Sequence, residues 1–175
     1  MASIRAIRPL IRQAPRAASR TPAIQKRFLN IENAPVIFSS HATVTGGRAQ
    51  GHIEGDNIKL DLGMPKALGG DGAKANPEEL FAAGYGSCFQ SAMGIASQQV
   101  GVKLPSDTDY SIETTVHLIG SMKEVDLGLR VEMKVKAKGV SKADLEKVIA
   151  KTKEICPYSR ATKGNVVTNV EAVVS

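Results

Sequence analysis

The chain has 175 residues, a formal net charge of +6 and two cysteines, which fits one domain with an extension rather than several domains. Two cysteines are too few for a disulfide framework, so this composition favours a reducing compartment or a redox pair of thiols. The charge does not argue for nucleic-acid binding, because it is unevenly distributed. Residues 1–31 have a net charge of +7, and residues 32–175 have a net charge of −1.

The first thirty residues are rich in arginine, contain serine and lack acids. Five arginines recur every three or four positions, which on a helix places them on one face: Arg5, Arg8, Arg12, Arg16 and Arg20. This pattern predicts a mitochondrial transit peptide over residues 1–30, removed near residues 27–29, and a mature protein in the mitochondrial matrix. The alternative is a disordered basic tail that binds acidic surfaces.

Alternating apolar and polar residues then predict strands. Residues 36–45 indicate a half-buried strand, a short return strand begins at residues 52–54, and residues 58–62 indicate a third. Glycine-containing turns separate these strands, one of them ending at Arg48. Residues 63–75 form a predicted flexible loop that carries Met64 and Leu68.

Residues 76–100 predict a long central helix. Asn76 suits the N-cap, Pro77 the first helical position, and Glu78 the positive end of the helix dipole. After residue 79 no charge appears until Lys103, so we expect a helix that is covered on most sides. Its glycine, serine and glutamine content argues against a membrane span. Cys88 lies in its middle.

The second half of the chain alternates again. Residues 110–118 and 129–137 predict a long antiparallel hairpin with one wet face. Ser141 and Asp144 then begin an amphipathic helix whose apolar stripe continues to Cys156, and residues 166–174 predict a final strand. We therefore predict an α+β fold, with antiparallel sheet packed around a buried central helix, over residues 36–175.

Histidine offers little chemistry in this sequence. The three histidines, His41, His52 and His117, fall on the polar phase of predicted strands, and no two have metal-ligand spacing. Neither cysteine has a C-x-x-C partner. A zinc site and a Cys-His hydrolase are both disfavoured.

The two cysteines lie on apolar helix faces, so they are either inert core residues or a redox pair. Three arginines follow residue 31. Arg48 lies in a glycine-containing turn, from which its side chain is expected either to reach a pocket or to be exposed on the hairpin. Arg130 falls on a solvated face, and Arg160 in a surface loop, four residues beyond Cys156.

Three motifs then occur in order: T-G-G-R ending at Arg48, N-P-E-E-L-F-A-A-G-Y-x-x-C ending at Cys88, and C-P-Y-S-x-A-T-x-G-N beginning at Cys156. With these motifs the chain resembles the organic hydroperoxide resistance (Ohr) branch of the osmotically inducible protein C (OsmC) superfamily over residues 36–174. The resemblance implies an OsmC-like fold and an intertwined homodimer. It also implies a peroxidase that reduces organic or fatty-acid hydroperoxides, with a lipoylated protein as external dithiol reductant and no bound cofactor or metal.

The resemblance also implies roles for four residues. Cys88 matches the peroxidatic thiol and Cys156 the thiol that resolves it as a disulfide. Arg48 and Glu78 match the family's arginine and glutamate. This agrees with the chemistry, because a buried thiolate and a leaving alkoxide both need a cation, which a carboxylate can orient in a two-point pair.

An apolar substrate wall is expected from four side chains, each of which also suits an ordinary core position: Met64, Leu68, Phe81 and Phe89. Glu78 precedes Cys88 by ten residues, about 15 Å along a straight helix. Either the helix bends near residues 84–86, or the site is shared across the dimer.

The chain departs from the Ohr pattern at Arg160, Lys163 and the hairpin tip, residues 121–125, which bears on substrate preference and reductant docking. Two other functions remain open at this point. One is a thiol redox sensor that uses the same cysteine pair without rapid turnover. The other is a lipid-binding module with inert cysteines. We expect no nucleic-acid partner and no stable membrane insertion.

Overall fold

The computed structural model describes residues 31–106 and 108–175. The chain divides into two compact units, Met1–Ser39 and Ser40–Ser175. Of the first unit, the described residues 31–39 form a turn followed by chain without helix or strand, and the predicted transit peptide over residues 1–30 lies outside the described part. The elements below all belong to the second unit.

Three short strands form the first sheet. They are β1 (Ala42–Thr45), β2 (His52–Gly55) and β3 (Lys59–Asp61), antiparallel in the order β1-β2-β3. The predicted strand over residues 36–45 is wrong in extent, because β2 offers four residues for pairing and the ladder ends where β2 ends. It is also not half-buried, since all four residues of β1 are exposed.

The central helix, α1 (Pro77–Val100), begins as its sequence predicts. Asn76 is extended, and its side chain accepts a hydrogen bond from the Glu79 backbone N–H at 3.0 Å. Gly101 ends the helix in the left-handed conformation. The helix packs against the second sheet and two later helices, but one stripe stays open to solvent, including Ser87, Ser91 and Ile95. The expected cover on most sides is therefore incomplete within one chain.

The second sheet carries the main core. It contains β4 (Tyr110–Ser121), β5 (Asp126–Ala137) and β6 (Val167–Val174), in that order. The predicted hairpin is confirmed, with Val116 opposite Val131. The prediction of purely antiparallel sheet is wrong for the last strand, because β6 pairs parallel to β5. A parallel partner needs a crossover connection, which the intervening helices supply.

The crossover is made by α2 (Lys142–Ile155) and α3 (Pro157–Thr162). Ser141 caps α2 as predicted, accepting from the Asp144 backbone N–H at 3.1 Å. Cys156 continues the buried apolar stripe of α2 as predicted, but its backbone is extended and it lies between the two helices. The reason is Pro157, which disfavours helical backbone in the residue before it.

The core lies between α1, α2 and the inner face of the second sheet, and its largest fully buried side chains include Tyr85, Phe89, Met93, Met133 and Leu145. None of the clustered core residues in the described chain comes from the first sheet. No helix within residues 31–106 and 108–175 combines the length and the apolar character that crossing a bilayer requires.

Candidate active site

The two cysteines meet at the junction between α1 and α3. Both are free thiols, and their Sγ atoms lie 3.5 Å apart although the residues are 68 positions apart in sequence. Cys88 is half-buried and Cys156 is fully buried. A disulfide needs a separation near 2.05 Å, so a small movement of either side chain suffices to join them.

Local backbone geometry holds Cys156 in this position. The Cys156 backbone N–H donates to the Thr152 carbonyl at 2.8 Å, and its own carbonyl accepts from the Arg160 N–H at 3.0 Å. The first bond is the last helical hydrogen bond of α2, and the second is the first of α3. The thiol is therefore fixed by two helix ends, and Cys88 by the middle of a third helix.

The surroundings of Cys88 favour its neutral form. Burial raises the pKa of the Cys88 thiol, and the neighbouring Cys156 thiol raises it further. The Tyr158 backbone N–H, in the first turn of α3, acts in the opposite direction. No cation of the described chain is among the groups that set this pKa.

Arg48 and Glu78 form a two-point ion pair at the other end of α1. The guanidinium Nη1 donates to Glu78 Oε2 at 2.6 Å and Nη2 donates to Oε1 at 2.8 Å. The Glu78 side chain is 14% exposed and that of Arg48 33%. The hydrogen bonds from Arg48 lower the Glu78 pKa, and those to Glu78 raise the Arg48 pKa.

The structure does not bring this ion pair to the cysteines within one chain. Helix α1 is continuous from Pro77 to Val100, so no break in the helix brings Glu78 toward Cys88. Ten residues of helix separate Glu78 from Cys88, about 15 Å of rise. One chain thus carries two separate clusters, a thiol pair and a guanidinium–carboxylate pair.

The chain is similar to proteins of one known family. The family model described as OsmC-like protein matches residues 70–171. The chain is 40% identical over 133 residues to the organic hydroperoxide resistance protein of Xanthomonas axonopodis pv. citri, covering 75% of this chain and 91% of that protein. The chain belongs to the OsmC-like family. It is also 35% identical over 141 residues to the organic hydroperoxide resistance protein OhrA of Bacillus subtilis, covering 77% of this chain and 95% of that protein.

Solved structures of the family have the same fold. An organic hydroperoxide resistance protein from Legionella pneumophila aligns with a TM-score of 0.72 at 37% identity, covering 80% of this chain and all of that one (100%). OhrB of Bacillus subtilis aligns with a TM-score of 0.68 at 33% identity, covering 78% and 99%. The predicted α+β, OsmC-like fold and the resemblance to the Ohr branch are confirmed.

In this OsmC-family chain the four expected pocket residues do not form one wall. Leu68 lines a cavity of about 400 Å³ that also contains Glu78, whereas Met64 lines a different cavity in its own loop. Phe81 packs edge-to-face on Tyr85, with ring centroids 5.9 Å apart. Phe89 is fully buried in the core.

The Glu78 cavity shows which residues the sequence analysis missed. Its apolar lining comes from the single 3₁₀ turn Lys66–Leu68 and from the end of the β4–β5 hairpin, including Leu118, Met122 and Leu127. Leu118 belonged to a predicted strand and Met122 to the predicted turn after it, and neither pattern indicated a contact with a loop fifty residues earlier. Tyr158 was also missed, although the tyrosine of the Cys-Pro-Tyr motif did mark its position.

The remaining candidates are peripheral. His52 Nδ1 lies 2.8 Å from Asp61 Oδ1, and His117 Nε2 lies 3.7 Å from Glu132 Oε1. His41 precedes β1 rather than lying within it. Arg130 and Arg160 are exposed. The described part of the chain contains no group of three His, Cys, Asp or Glu residues that could hold a metal ion.

Proposed function

We propose that this protein is a cysteine-based peroxidase that reduces organic hydroperoxides to alcohols in the response to oxidative stress, with Cys88 as nucleophile and Cys156 as resolving thiol. The observation that carries the proposal is the 3.5 Å separation of the two Sγ atoms. The exposure of the thiols supports the order of their roles, because Cys88 is partly accessible and Cys156 is buried.

The catalytic cycle needs only these two thiols, the hydroperoxide and one external dithiol. The Cys88 thiolate attacks the terminal oxygen of the hydroperoxide, the O–O bond breaks, and the alkoxide takes a proton and leaves as the alcohol. Cys88 is then a sulfenic acid. Cys156 attacks its sulfur, water leaves, and a Cys88–Cys156 disulfide remains. Two electrons and two protons from a dithiol restore both thiols.

Arg48 and Glu78 complete this site from a second copy of the chain. An intertwined homodimer places the guanidinium of one protomer beside the Cys88 of the other, and the offset of about 15 Å along α1 supports this arrangement. Two uncovered surfaces support the dimer. The open stripe of α1 has no charged residue between Glu79 and Gly101, and the first sheet has exposed apolar side chains such as Val44, which is 58% exposed.

The substrate is an organic hydroperoxide with an apolar chain. The cavity beside Glu78 is large enough for an alkyl chain, and relatives that are 35–40% identical are named for organic hydroperoxide resistance. The reductant is an external dithiol on a lipoylated protein, and the protein needs no bound cofactor. The basic N-terminal segment directs the chain to the mitochondrion.

A thiol count after one equivalent of substrate tests the proposal. The reduced protein is mixed with one equivalent of an alkyl hydroperoxide, and free thiols are then titrated and the disulfide mapped by mass spectrometry. Both thiols disappear and one intramolecular Cys88–Cys156 bond forms. Cys156→Ser reacts once and then stalls or over-oxidises at Cys88.

Cys88→Ser is the decisive variant, because it removes the nucleophile and keeps the size of the side chain. It consumes no peroxide. Normal turnover in Cys88→Ser would contradict the assignment. Repeated turnover with dihydrolipoamide separates a peroxidase from a redox sensor, which needs to be oxidised only once to report.

A further inference from the structure

Tyr85 lies one turn before Cys88 on α1, and its side chain is buried, at 1% exposure. It contacts three residues of α3. Its ring lies 6.0 Å from the ring of Tyr158, measured between centroids. Its hydroxyl donates a hydrogen bond to Ser159 Oγ at 3.1 Å and lies 3.4 Å from Thr162 Oγ1. The proposed peroxidase steps do not use this phenol.

The geometry of the hydroxyl groups directs the phenol proton to Ser159. A phenol hydroxyl has one proton to donate. Thr162 Oγ1 donates its own proton to the Tyr158 carbonyl at 2.8 Å, so it is not a donor to Tyr85. Of the two oxygens beside Tyr85 Oη, Ser159 Oγ is the nearer acceptor. The Tyr85–Ser159 hydrogen bond therefore links α1 directly to α3.

This link lies beside the cysteine pair. Tyr85 precedes Cys88 by three residues on α1, and Ser159 follows Cys156, the N-cap of α3, by three residues. Residues three apart on a helix lie on the same face. The contact of Oη with Oγ at 3.1 Å and that of the two Sγ atoms at 3.5 Å therefore join the same two helices, about one turn apart.

The position of α3 depends on contacts of this kind. The helix has six residues and no side-chain cap at its N-terminus, and so short a helix is not stable by itself. It follows Cys156 directly, and it carries the Tyr158 backbone N–H, which lowers the pKa of Cys88. A shift of α3 by about 1 Å would move both groups relative to Cys88, and a misplacement of that size can slow a reaction by about 100-fold.

We infer that Tyr85 is a positioning residue for the resolving step, because its hydrogen bond to Ser159 holds α3 where Cys156 can reach the Cys88 sulfenic acid. This inference rests on the proposed peroxidase function. In the resolving step the Cys156 sulfur attacks the Cys88 sulfur, the S–S bond forms and the S–O bond breaks. The hydroxyl group leaves as water with the Cys156 proton. Tyr85 supplies neither a proton nor electrons and acts on the distance between the sulfurs.

The test measures the fate of the Cys88 sulfenic acid in the full-length protein. With excess alkyl hydroperoxide this group is either resolved by Cys156 or oxidised again to sulfinic acid, and mass spectrometry gives the ratio of sulfinic acid to disulfide. Tyr85→Phe keeps the ring and removes the hydroxyl, so the ratio rises roughly tenfold as resolution slows. The first oxidation of Cys88 slows less than resolution does. Tyr110→Phe, which removes a phenol hydroxyl from β4, keeps the wild-type ratio.

A second variant removes the acceptor instead of the donor. Ser159→Ala raises the ratio by the same factor as Tyr85→Phe, and it tests the inference even if Tyr85→Phe does not fold, because Ser159 is only half-buried. The double variant is no worse than either single variant, since all three lack the same hydrogen bond. An unchanged ratio in Ser159→Ala, or two effects that multiply in the double variant, overturns the inference.

A measurement without peroxide separates this inference from the proposed function. Each protein is equilibrated with reduced and oxidised dithiothreitol, and the fraction of Cys88–Cys156 disulfide gives the equilibrium constant. Ser159→Ala and Tyr85→Phe lower this constant several-fold, because a less restrained α3 has to be ordered when the bond forms. Unchanged constants overturn the role of Tyr85. Wild-type protein that forms the disulfide with dithiothreitol but consumes no hydroperoxide overturns the proposed function alone.

Discussion

Cys88 lies where burial raises its pKa and only one backbone N–H opposes the shift. Thiolate is therefore scarce at neutral pH unless a cation is added. Arg48 is a suitable cation because Glu78 holds it by two hydrogen bonds. The Arg48–Glu78 ion pair persists into mildly acidic solution, because the pKa of Glu78 in the folded protein lies below its ordinary value of 4.5. Its stabilisation is present above that ordinary value and is lost only as pH falls through the folded pKa.

Arg48→Ala tests this mechanism at the residue scale. The second-order rate of Cys88 oxidation by an alkyl hydroperoxide falls by roughly 100-fold, because thiolate and leaving alkoxide both lose their cation. The Cys88 pKa rises, and each unit is worth about 1.4 kcal/mol. Raising the pH restores the part of the rate that reflects thiolate supply. The measurement is this rate against pH from about 5 to 9.

Two conservative variants separate charge from geometry. Arg48→Lys recovers part of the rate, since an ammonium cannot form the planar two-point pair. Glu78→Gln costs less than Arg48→Ala, because the cation remains but is less well oriented. Wild-type rates in Arg48→Ala at every pH would remove Arg48 from the mechanism, and Arg160 would be the next arginine to test.

Among the elements, α1 is the one that others pack around, and at Gly86 it comes close to β4. Gly86 is buried, and a Cβ built there would lie 2.7 Å from Thr114 Oγ1. Gly86→Ala is therefore expected to destabilise the protein by about 1–2 kcal/mol, the cost of overpacking less the gain in helix propensity. Urea denaturation measures this.

The contact itself can be tested by removing its other partner. Thr114→Ala combined with Gly86→Ala recovers most of the lost stability, since the clash requires both side chains. Gly128→Ala on β5 is the matched control, because its Cβ would meet only Ile119 Cγ1 at an ordinary 3.7 Å. If Gly86→Ala and Gly128→Ala change stability equally, the close approach is not the cause.

Local signals explain which elements the sequence could predict. Neighbouring residues in the sequence determine the cap of α1 at Asn76 and the alternation of β4 and β5, so both were predicted correctly. Helix α3 has six residues, fewer than two turns, and so shows no periodicity. The parallel pairing of β6 depends on where the crossover places it, which no local pattern encodes.

The residues of the candidate site also differ in whether local sequence reveals them. Cys88, Cys156, Arg48 and Glu78 were found from motifs, and the Arg48–Glu78 pair was expected from chemistry. The lining of the Glu78 cavity was not, because Leu68 and Met122 meet only after folding. Phe89 takes the core position that also suited it, because the residue next to Cys88 on a helix points to a different face.

On the scale of the whole molecule, the open stripe of α1 has a testable consequence. Ile95 is 56% exposed within one chain, so Ile95→Glu would be almost neutral in a monomer. In the proposed homodimer it buries a charge and drives dissociation. Sedimentation equilibrium measures the change. Val167→Glu, at a 63% exposed position on β6, is the control, and an unchanged mass in Ile95→Glu would contradict a dimer formed through this stripe.

The charge division along the chain gives the other molecular prediction. A fluorescent reporter fused to residues 1–31, which hold seven cations and no acid, enters mitochondria, and the mature protein begins near residue 30. Replacing the five early arginines by glutamine keeps the reporter in the cytosol. Mature protein that still carries residues 1–20 would contradict cleavage.

The central position of β5 in its sheet affects how the chain folds during synthesis. A short turn joins β5 to β4, but its other edge is paired only by β6, which follows two helices later in the chain. Without β6, the edge of β5 exposes unpaired backbone N–H and C=O groups to strands of other chains, beside the apolar residues Val131, Met133 and Val135. A chain lacking residues 167–174 is thus prone to aggregate, because the sheet is complete only when β6 pairs with β5.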